Sequence, residues 1–294
     1  MSAMSSVVTP AAHAEHTSLT VAQAAAWAQT LGLPRLEAQV LLLHALGRAP
    51  HDRAWLLAHG DDALDVAVQN TFEAYAQRRL STEPVAYITG HKEFFGLTLQ
   101  VDRRVLDPRA DTETLVEWAL SCLADTPHPA VVDLGTGSGA IALALQHARA
   151  DAQVCAVDVS ADALCVARAN AERLALAVDF HHGAWLAPLK GRIFDAIVSN
   201  PPYVARDDAH LAALTHEPVM ALASGADGLD DIRIIVREAA QHLQPKGWLL
   251  LEHGYDQAHA VQTLLGNQGF VNVQSRPDLA GILRCTGGQW QTVK

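Results

Sequence analysis

The chain has 294 residues, 50% of them hydrophobic and 18% charged, with a formal net charge of −11 at pH 7. This composition supports a sizeable core in one large or two modest domains and argues against wholesale disorder. The acidic balance disfavours a nucleic-acid binder working through a general basic surface, and no apolar run reaches the roughly 18 residues needed to span a bilayer.

Residues 1–18 have neither a basic start nor an apolar core, so no secretory signal is read there and a flexible tail is expected. Residues 19–83 carry a helical pattern. VAQAAAWAQTLGLP runs into the stop signals Gly32 and Pro34, and RLEAQVLLLHALGR places Leu36, Val40, Leu43 and Leu46 at helical spacing. The short DRAWLLAHG and the longer DDALDVAVQNTFEAYAQRRL complete a small helical domain. Over 84–108 the period changes, and Gly90 and Gly96 sit among aromatic and β-branched residues in a hairpin-like linker. ADTETLVEWALSCLA restarts helix, with Asp111 and Thr112 as candidate caps.

The domain from 109 to 294 reads as α/β. Strands are expected at 130–134, 154–157, 178–181, 194–199, 248–252, 270–274 and 282–286, with helical patterns between the first six. That alternation predicts a mostly parallel seven-stranded sheet covered on both faces, its last two strands joined as an antiparallel edge. Cys122, Cys155, Cys165 and Cys285 form no CxxC pair and no ligand-like spacing with histidine. A reduced, cytoplasmic setting without a metal site fits them.

VVDLGTGSGAIALAL places Gly135, Gly137 and Gly139 between a strand and a helix, with Thr136 and Ser138 interleaved. Glycine lets backbone turn sharply and approach a ligand closely, although tight strand-to-helix turns also use it structurally. About twenty residues on, Asp158 ends the next strand, where nucleoside-binding folds place an acid on ribose hydroxyls. Ser160 is the better-placed cap for the following helix. The G-x-G-x-G spacing, with Asp133 two residues ahead, departs from the pyrophosphate fingerprint and counts against a nicotinamide dehydrogenase. The loop resembles motif I of the class I S-adenosylmethionine-dependent methyltransferases, which implies that Asp133 acts on the ligand's amino-acid portion, directly or through water.

VSNPPYV follows the fourth strand. Pro201 and Pro202 fix their own φ angles, supply no N–H and force the preceding residues extended. A stiff turn explains two prolines but not the flanking Asn200 and Tyr203. A planar NH₂ on an sp² carbon is a poor nucleophile. Two acceptors, the Asn200 side-chain oxygen and a backbone carbonyl of the proline corner, would grip its hydrogens and aim its nitrogen at a sulfonium methyl. Tyr203 would pack on the planar group. Neutral acceptors suffice, because the proton leaves as or after the methyl arrives. NPPY resembles the signature shared by adenine, cytosine and glutamine-amide methyltransferases.

Further blocks, EPVAYITGHKEFFGL, DPRADTETLVE, EPVMALASGADGL and LLLEHGYDQ, resemble those of the PrmC/HemK family in the same order, as does the helical region. The resemblance covers nearly the whole chain. It implies a Rossmann-like class I methyltransferase domain over 109–294, behind an N-terminal domain that recognises substrate. It further implies that S-adenosyl-L-methionine methylates the glutamine of the GGQ motif in class 1 peptide chain release factors. The cofactor site would be Asp133, Gly135 to Gly139, Asp158, Trp185 beside the adenine, and Asn200. Asn200, Pro201, Pro202 and Tyr203 would hold the glutamine, with Asn200, Pro201 and Tyr203 catalytic. A monomer with no direct nucleic-acid substrate and no membrane association is expected.

Three departures stand out. Asp107-Pro108-Arg109-Ala110 replaces an apolar-Pro-Arg-Pro run, and Ala184 stands where an aspartate commonly contacts the adenine amino group. Gly287-Gly288-Gln289 repeats the modified tripeptide, a coincidence in what reads as a short tail. An adenine-N6 nucleic-acid methyltransferase and a non-catalytic cofactor-binding module are the alternatives.

Overall fold

The structure, a computed structural model, describes residues 18–291, so the tail expected over 1–18 lies, except for Ser18, outside the described residues. The described chain divides between Ser81 and Thr82 into two units, each with its own buried residues.

In the first unit Thr20 and Gln23 form a reciprocal capping box that starts α1 (Val21–Thr30). Pro34 starts α2 (Arg35–Ala45), and Asp65 caps α4 (Val66–Leu80) through the Ala67 N–H, with α3 (Arg53–Ala58) between. The small side chains of Ala24, Ala28, Ala38 and Ala76 let the helices approach around Leu41, Leu42 and Phe72. Trp27 meets Phe72 edge to face at 6.0 Å. The expected stripe on α2 is corrected in part. Leu43 is buried as expected, but Leu36 is 54% exposed, Val40 and Leu46 are half-buried, and Ala38, Leu41 and Leu42 complete the buried face. The run VLLL is apolar all round, so its spacing alone specifies no direction.

In the second unit the linker opens with one helical turn, α5 (Val85–Thr89), before a hairpin of β1 (His91–Phe94) and β2 (Leu97–Gln100). The Tyr87 hydroxyl of α5 donates to the Val105 carbonyl and anchors the segment that follows the hairpin. A 3-10 turn over Ala110–Thr112 leads into α6 (Glu113–Cys122). Neither candidate cap closes that helix by a side-chain bond. The Thr112 hydroxyl instead accepts from the Asn200 side chain, and Asp111 lies 3.8 Å from Arg284.

The remaining elements are β3 (Ala130–Leu134), α7 (Ala140–Ala148), β4 (Gln153–Asp158), α8 (Ala161–Leu174), β5 (Asp179–His182), β6 (Phe194–Ser199), α9 (Asp230–Ala239), β7 (Leu243–Glu252), α10 (Ala258–Gln268), β8 (Phe270–Pro277) and β9 (Leu283–Trp290). Their order across the sheet is β5-β4-β3-β6-β7-β9-β8. The first five run parallel, and β9 pairs antiparallel with both β7 and β8. Apolar side chains of α6, α7 and α8 cover one face, and those of α9 and α10 cover the other. The sheet reverses order beside β3, and the carboxyl ends of β3, β4 and β6 open there into a crevice, the place where open α/β sheets bind ligands.

The reading of Gly287-Gly288-Gln289 as a tail is overturned: it lies inside β9. A Cβ at Gly287 would stand 2.5 Å from Leu250 Cδ2 and 2.8 Å from the Leu249 carbonyl oxygen. The glycine lets β9 pack against β7 and Trp118, and Gln289 Nε2 donates to the Lys246 carbonyl at 2.9 Å. Packing explains the first glycine of this tripeptide.

Candidate active site

The crevice contains a cavity of about 360 Å³. Gly135, Gly137, Asp158, Trp185, Asn200 and Pro202 all line it, joined by Arg104, Val105, Pro218 and Met220, to which the sequence reading assigned no role. At one end the glycine loop closes on Asp158. Asp158 Oδ2 accepts the Gly137 N–H at 2.8 Å, and Oδ1 accepts the Ser160 N–H at 2.8 Å. Ser160, not Asp158, caps α8 through the Ala163 N–H. Burial pushes the Asp158 carboxyl up, and the two backbone donors pull it back. Asp158 lines the cavity with acceptor capacity to spare, which suits a pair of ribose hydroxyls.

Asp133 is fully buried beneath the loop, away from the cavity wall. Its Oδ2 accepts from the Thr136 hydroxyl at 2.6 Å and the Ala142 N–H at 3.2 Å, while Oδ1 has no partner. Burial pushes this carboxyl up to about 7. In this structure Asp133 braces the loop. Thr136 and Ser138 are likewise buried, so the loop presents backbone to a ligand. Asn170 of α8 is fully buried, and its Nδ2 donates to the Ser138 and Gln100 carbonyls at 3.0 and 2.9 Å, tying the loop to β2.

Trp185 sits at φ 46, an unusual left-handed conformation for a bulky residue that costs on the order of 1–3 kcal/mol. That conformation lays the indole against the glycine loop and into the cavity wall. Ala184 also lines this wall and brings no carboxylate to it. A cavity with glycine backbone, an acid at the end of β4 and an aromatic wall fits S-adenosylmethionine.

At the other end stands the corner after β6. The Ser199 hydroxyl donates to the Leu134 carbonyl at 2.7 Å and locks β6 to β3. Asn200 Nδ2 donates to Thr112 Oγ1 at 3.2 Å, which leaves Oδ1 as the free acceptor of the amide. Tyr203 is held three ways. Its hydroxyl donates to Glu252 Oε1 at 3.4 Å, its carbonyl accepts from Gln257 Nε2 at 3.0 Å, and Gly228 lies against that carbonyl. A Cβ at Gly228 would stand 2.1 Å from the Tyr203 oxygen, and its φ of 75 also favours glycine. Burial, then the Glu252 charge, holds the Tyr203 phenol well above its ordinary value, so it remains protonated. Pro201 is buried and Pro202 lines the cavity.

The departure at Asp107 acquires partners. Lys92 lies 3.2 Å from Asp107, and Arg109 grips Glu217 with contacts of 2.7 and 2.9 Å. The Asp107 N–H also donates to Glu217. These bonds pin the segment carrying Pro218 and Met220 against the segment carrying Arg104 and Val105. Thr112, Gln257, Gly228 and Glu252 were all within quoted blocks, but nothing in their local pattern points to Asn200 or Tyr203.

Two family models match: the methyltransferase small domain over residues 111–275 and the PrmC N-terminal domain over residues 20–90. Release factor glutamine methyltransferase of Xylella fastidiosa strain Temecula1 is 49% identical over 265 residues, covering 89% of this chain and 95% of that protein. The enzyme of the same name from Bordetella pertussis is 48% identical over 260 residues, covering 87% and 95%. Among solved structures, the human Mettl16 catalytic domain with an RNA hairpin aligns at a TM-score of 0.56 and 15% identity, covering 76% of this chain and 79% of that one. The Thermus thermophilus 16S rRNA N2 G1207 methyltransferase, in complex with AdoMet and guanosine, aligns at 0.50 and 20% identity, covering 68% and 50%. Both structures share the fold alone. The relatives, both family models and the order of elements agree, and the chain belongs to the family of release factor glutamine methyltransferases.

Proposed function

We propose that this chain methylates the side-chain nitrogen of the glutamine in the GGQ motif of class 1 peptide chain release factors, using S-adenosyl-L-methionine. The observation that carries the reading is the orientation of Asn200. Its Nδ2 is committed to Thr112, so Oδ1 is free to accept one hydrogen of a planar NH₂. A carbonyl of the proline corner accepts the other. Glycine backbone, Asp158 and Trp185 hold the cofactor beside them. S-adenosylmethionine supplies a sulfonium methyl: the new N–C bond uses the amide nitrogen's pair, the broken C–S pair stays on sulfur, and the displaced proton leaves to water. Asn200 and Pro201 orient that nitrogen, and Tyr203 packs on the amide plane.

The enzyme acts in the cytoplasm as a monomer, and residues 19–83 contribute partner recognition. No described helix is long and apolar enough to cross a membrane. Mass spectrometry of purified release factors after incubation with enzyme and cofactor should show one added methyl on that glutamine. Replacing the glutamine should abolish it, and unmethylated duplex DNA should accept none. Transfer to adenine with none to release factors would install the nucleic-acid reading. Removal of residues 1–81 should spare cofactor binding and weaken release-factor binding; a truncated enzyme as fast as the whole would refute that role for the helical unit.

A further inference from the structure

Glu252 at the end of β7 is 1% exposed, yet no part of the proposed transfer uses it. Its Oε2 has no hydrogen-bond partner, and its Oε1 holds only the Tyr203 hydroxyl, at a long 3.4 Å. The Thr112 hydroxyl faces the same carboxyl, short of full hydrogen-bond geometry, and acts to keep it ionised. Thr112 Oγ1 already accepts from Asn200, so its own proton is available to Glu252. One buried carboxyl therefore stands behind both side chains that meet the substrate amide. A lone buried acid is a poor stability device, because desolvation opposes its charge and leaves an oxygen unsatisfied.

Resting on the function proposed above, we propose that Glu252 is a positioning residue. As common acceptor for the Thr112 and Tyr203 hydroxyls, it fixes which way the Asn200 amide faces and where the Tyr203 ring lies. Without it the Thr112 proton has no acceptor, and nothing prevents the Asn200 amide from turning its NH₂ toward the substrate. Long hydroxyl contacts of this kind tighten when substrate fills the site. The groups facing the carboxyl are Asp111 and Thr112 before α6, Tyr203 after β6, and Arg284 and Cys285 on β9, with His253 directly after β7. Burial pushes the acid up to about 7, so its acceptor form is lost as pH falls through that value.

The test measures kcat at saturating cofactor and release factor, and cofactor Kd, for Glu252→Leu, Glu252→Gln and Thr112→Val. Glu252→Leu should fold at least as stably as the unsubstituted enzyme, keep its cofactor Kd, and lose roughly tenfold or more in kcat. Glu252→Gln keeps an acceptor that does not titrate. It should retain kcat within about threefold at pH 8 and lack the unsubstituted enzyme's fall in kcat below about pH 7. Thr112→Val should cut kcat with unchanged Kd, and it decides the matter if Glu252→Leu does not fold. Full turnover by a folded Glu252→Leu or by Thr112→Val, or an unaltered acid limb in Glu252→Gln, would overturn the role. An unsubstituted enzyme that does not label release factors would instead count against the proposed function.

Discussion

The two ends of the cavity are built by different means. The glycine loop is held at shorter range: neighbouring residues supply the turn, the buried Asp133 braces it within nine residues, Asp158 accepts its Gly137 N–H from 21 positions on, and Asn170 ties it from 32 positions on. The Asn200–Tyr203 corner is made by side chains from afar. Thr112 is 88 positions away, Glu252 is 49 and Gln257 is 54. The loop is braced mostly within the unit β3-α7-β4, whereas the corner held by more distant partners depends on the sheet order that brings β6 next to β7.

The comparison predicts that damage at the corner falls on turnover and damage at the loop falls on cofactor affinity. The largest effect belongs to Asn200→Ala, for which kcat should fall on the order of 10²–10³ while cofactor Kd moves less than about threefold. Near-normal kcat would break the distinction. Gly228→Ala comes next. Its new Cβ would collide with the Tyr203 carbonyl oxygen 2.1 Å away, so denaturant unfolding should show a loss near 3 kcal/mol. Turnover should suffer more than cofactor affinity, although residue 228 does not line the cavity.

Asp158→Ala tests the other end. Losing hydrogen bonds to a charged group should weaken cofactor binding by about 1–3 kcal/mol by calorimetry. Turnover at saturating cofactor should survive within a few-fold. Unchanged affinity in a folded variant would remove Asp158 from the site.

The remaining effect is one of pH. Burial raises the Asp133 carboxyl to about 7, so the folded chain holds that proton more tightly than the unfolded one. Its contribution to stability is then present at low pH and lost as pH rises from about 4 through about 7. Asp133→Asn keeps an acceptor for Thr136 and Ala142 without titrating. Its unfolding free energy should therefore decline less than that of the unsubstituted chain over this window, and parallel curves would show that the buried acid carries no such proton.

Sequence reasoning reached the glycine-loop end because its signals are written in adjacent residues. Glycine at 135, 137 and 139, an acid closing the next strand and alternating strand and helix patterns are local signals with direct physical meaning. Asn200-Pro201-Pro202-Tyr203 was legible for the same reason, since proline rigidity and an amide side chain do not depend on neighbours. What surrounds them was not. Thr112 read as a helix cap, because a threonine before an acidic first turn usually is one, and only the fold turns its hydroxyl toward Asn200. The buried side of α2 was read only in part, at Leu43 but not at Leu36, because an all-apolar run has no preferred face until a partner helix arrives.

Gly287-Gly288-Gln289 shows the same division. Two glycines near a terminus read as loose chain, and pairing with β7 made them a packed strand. Hydrophobic periodicity, turn residues and short motifs determined the α/β class, the seven-stranded sheet and the candidate site residues. Their reach is a few residues, set by backbone geometry. Which side chains support those residues was decided by strand order and helix packing, because a contact across 50 or 90 positions depends on how the whole chain closes and leaves no periodic trace in the sequence.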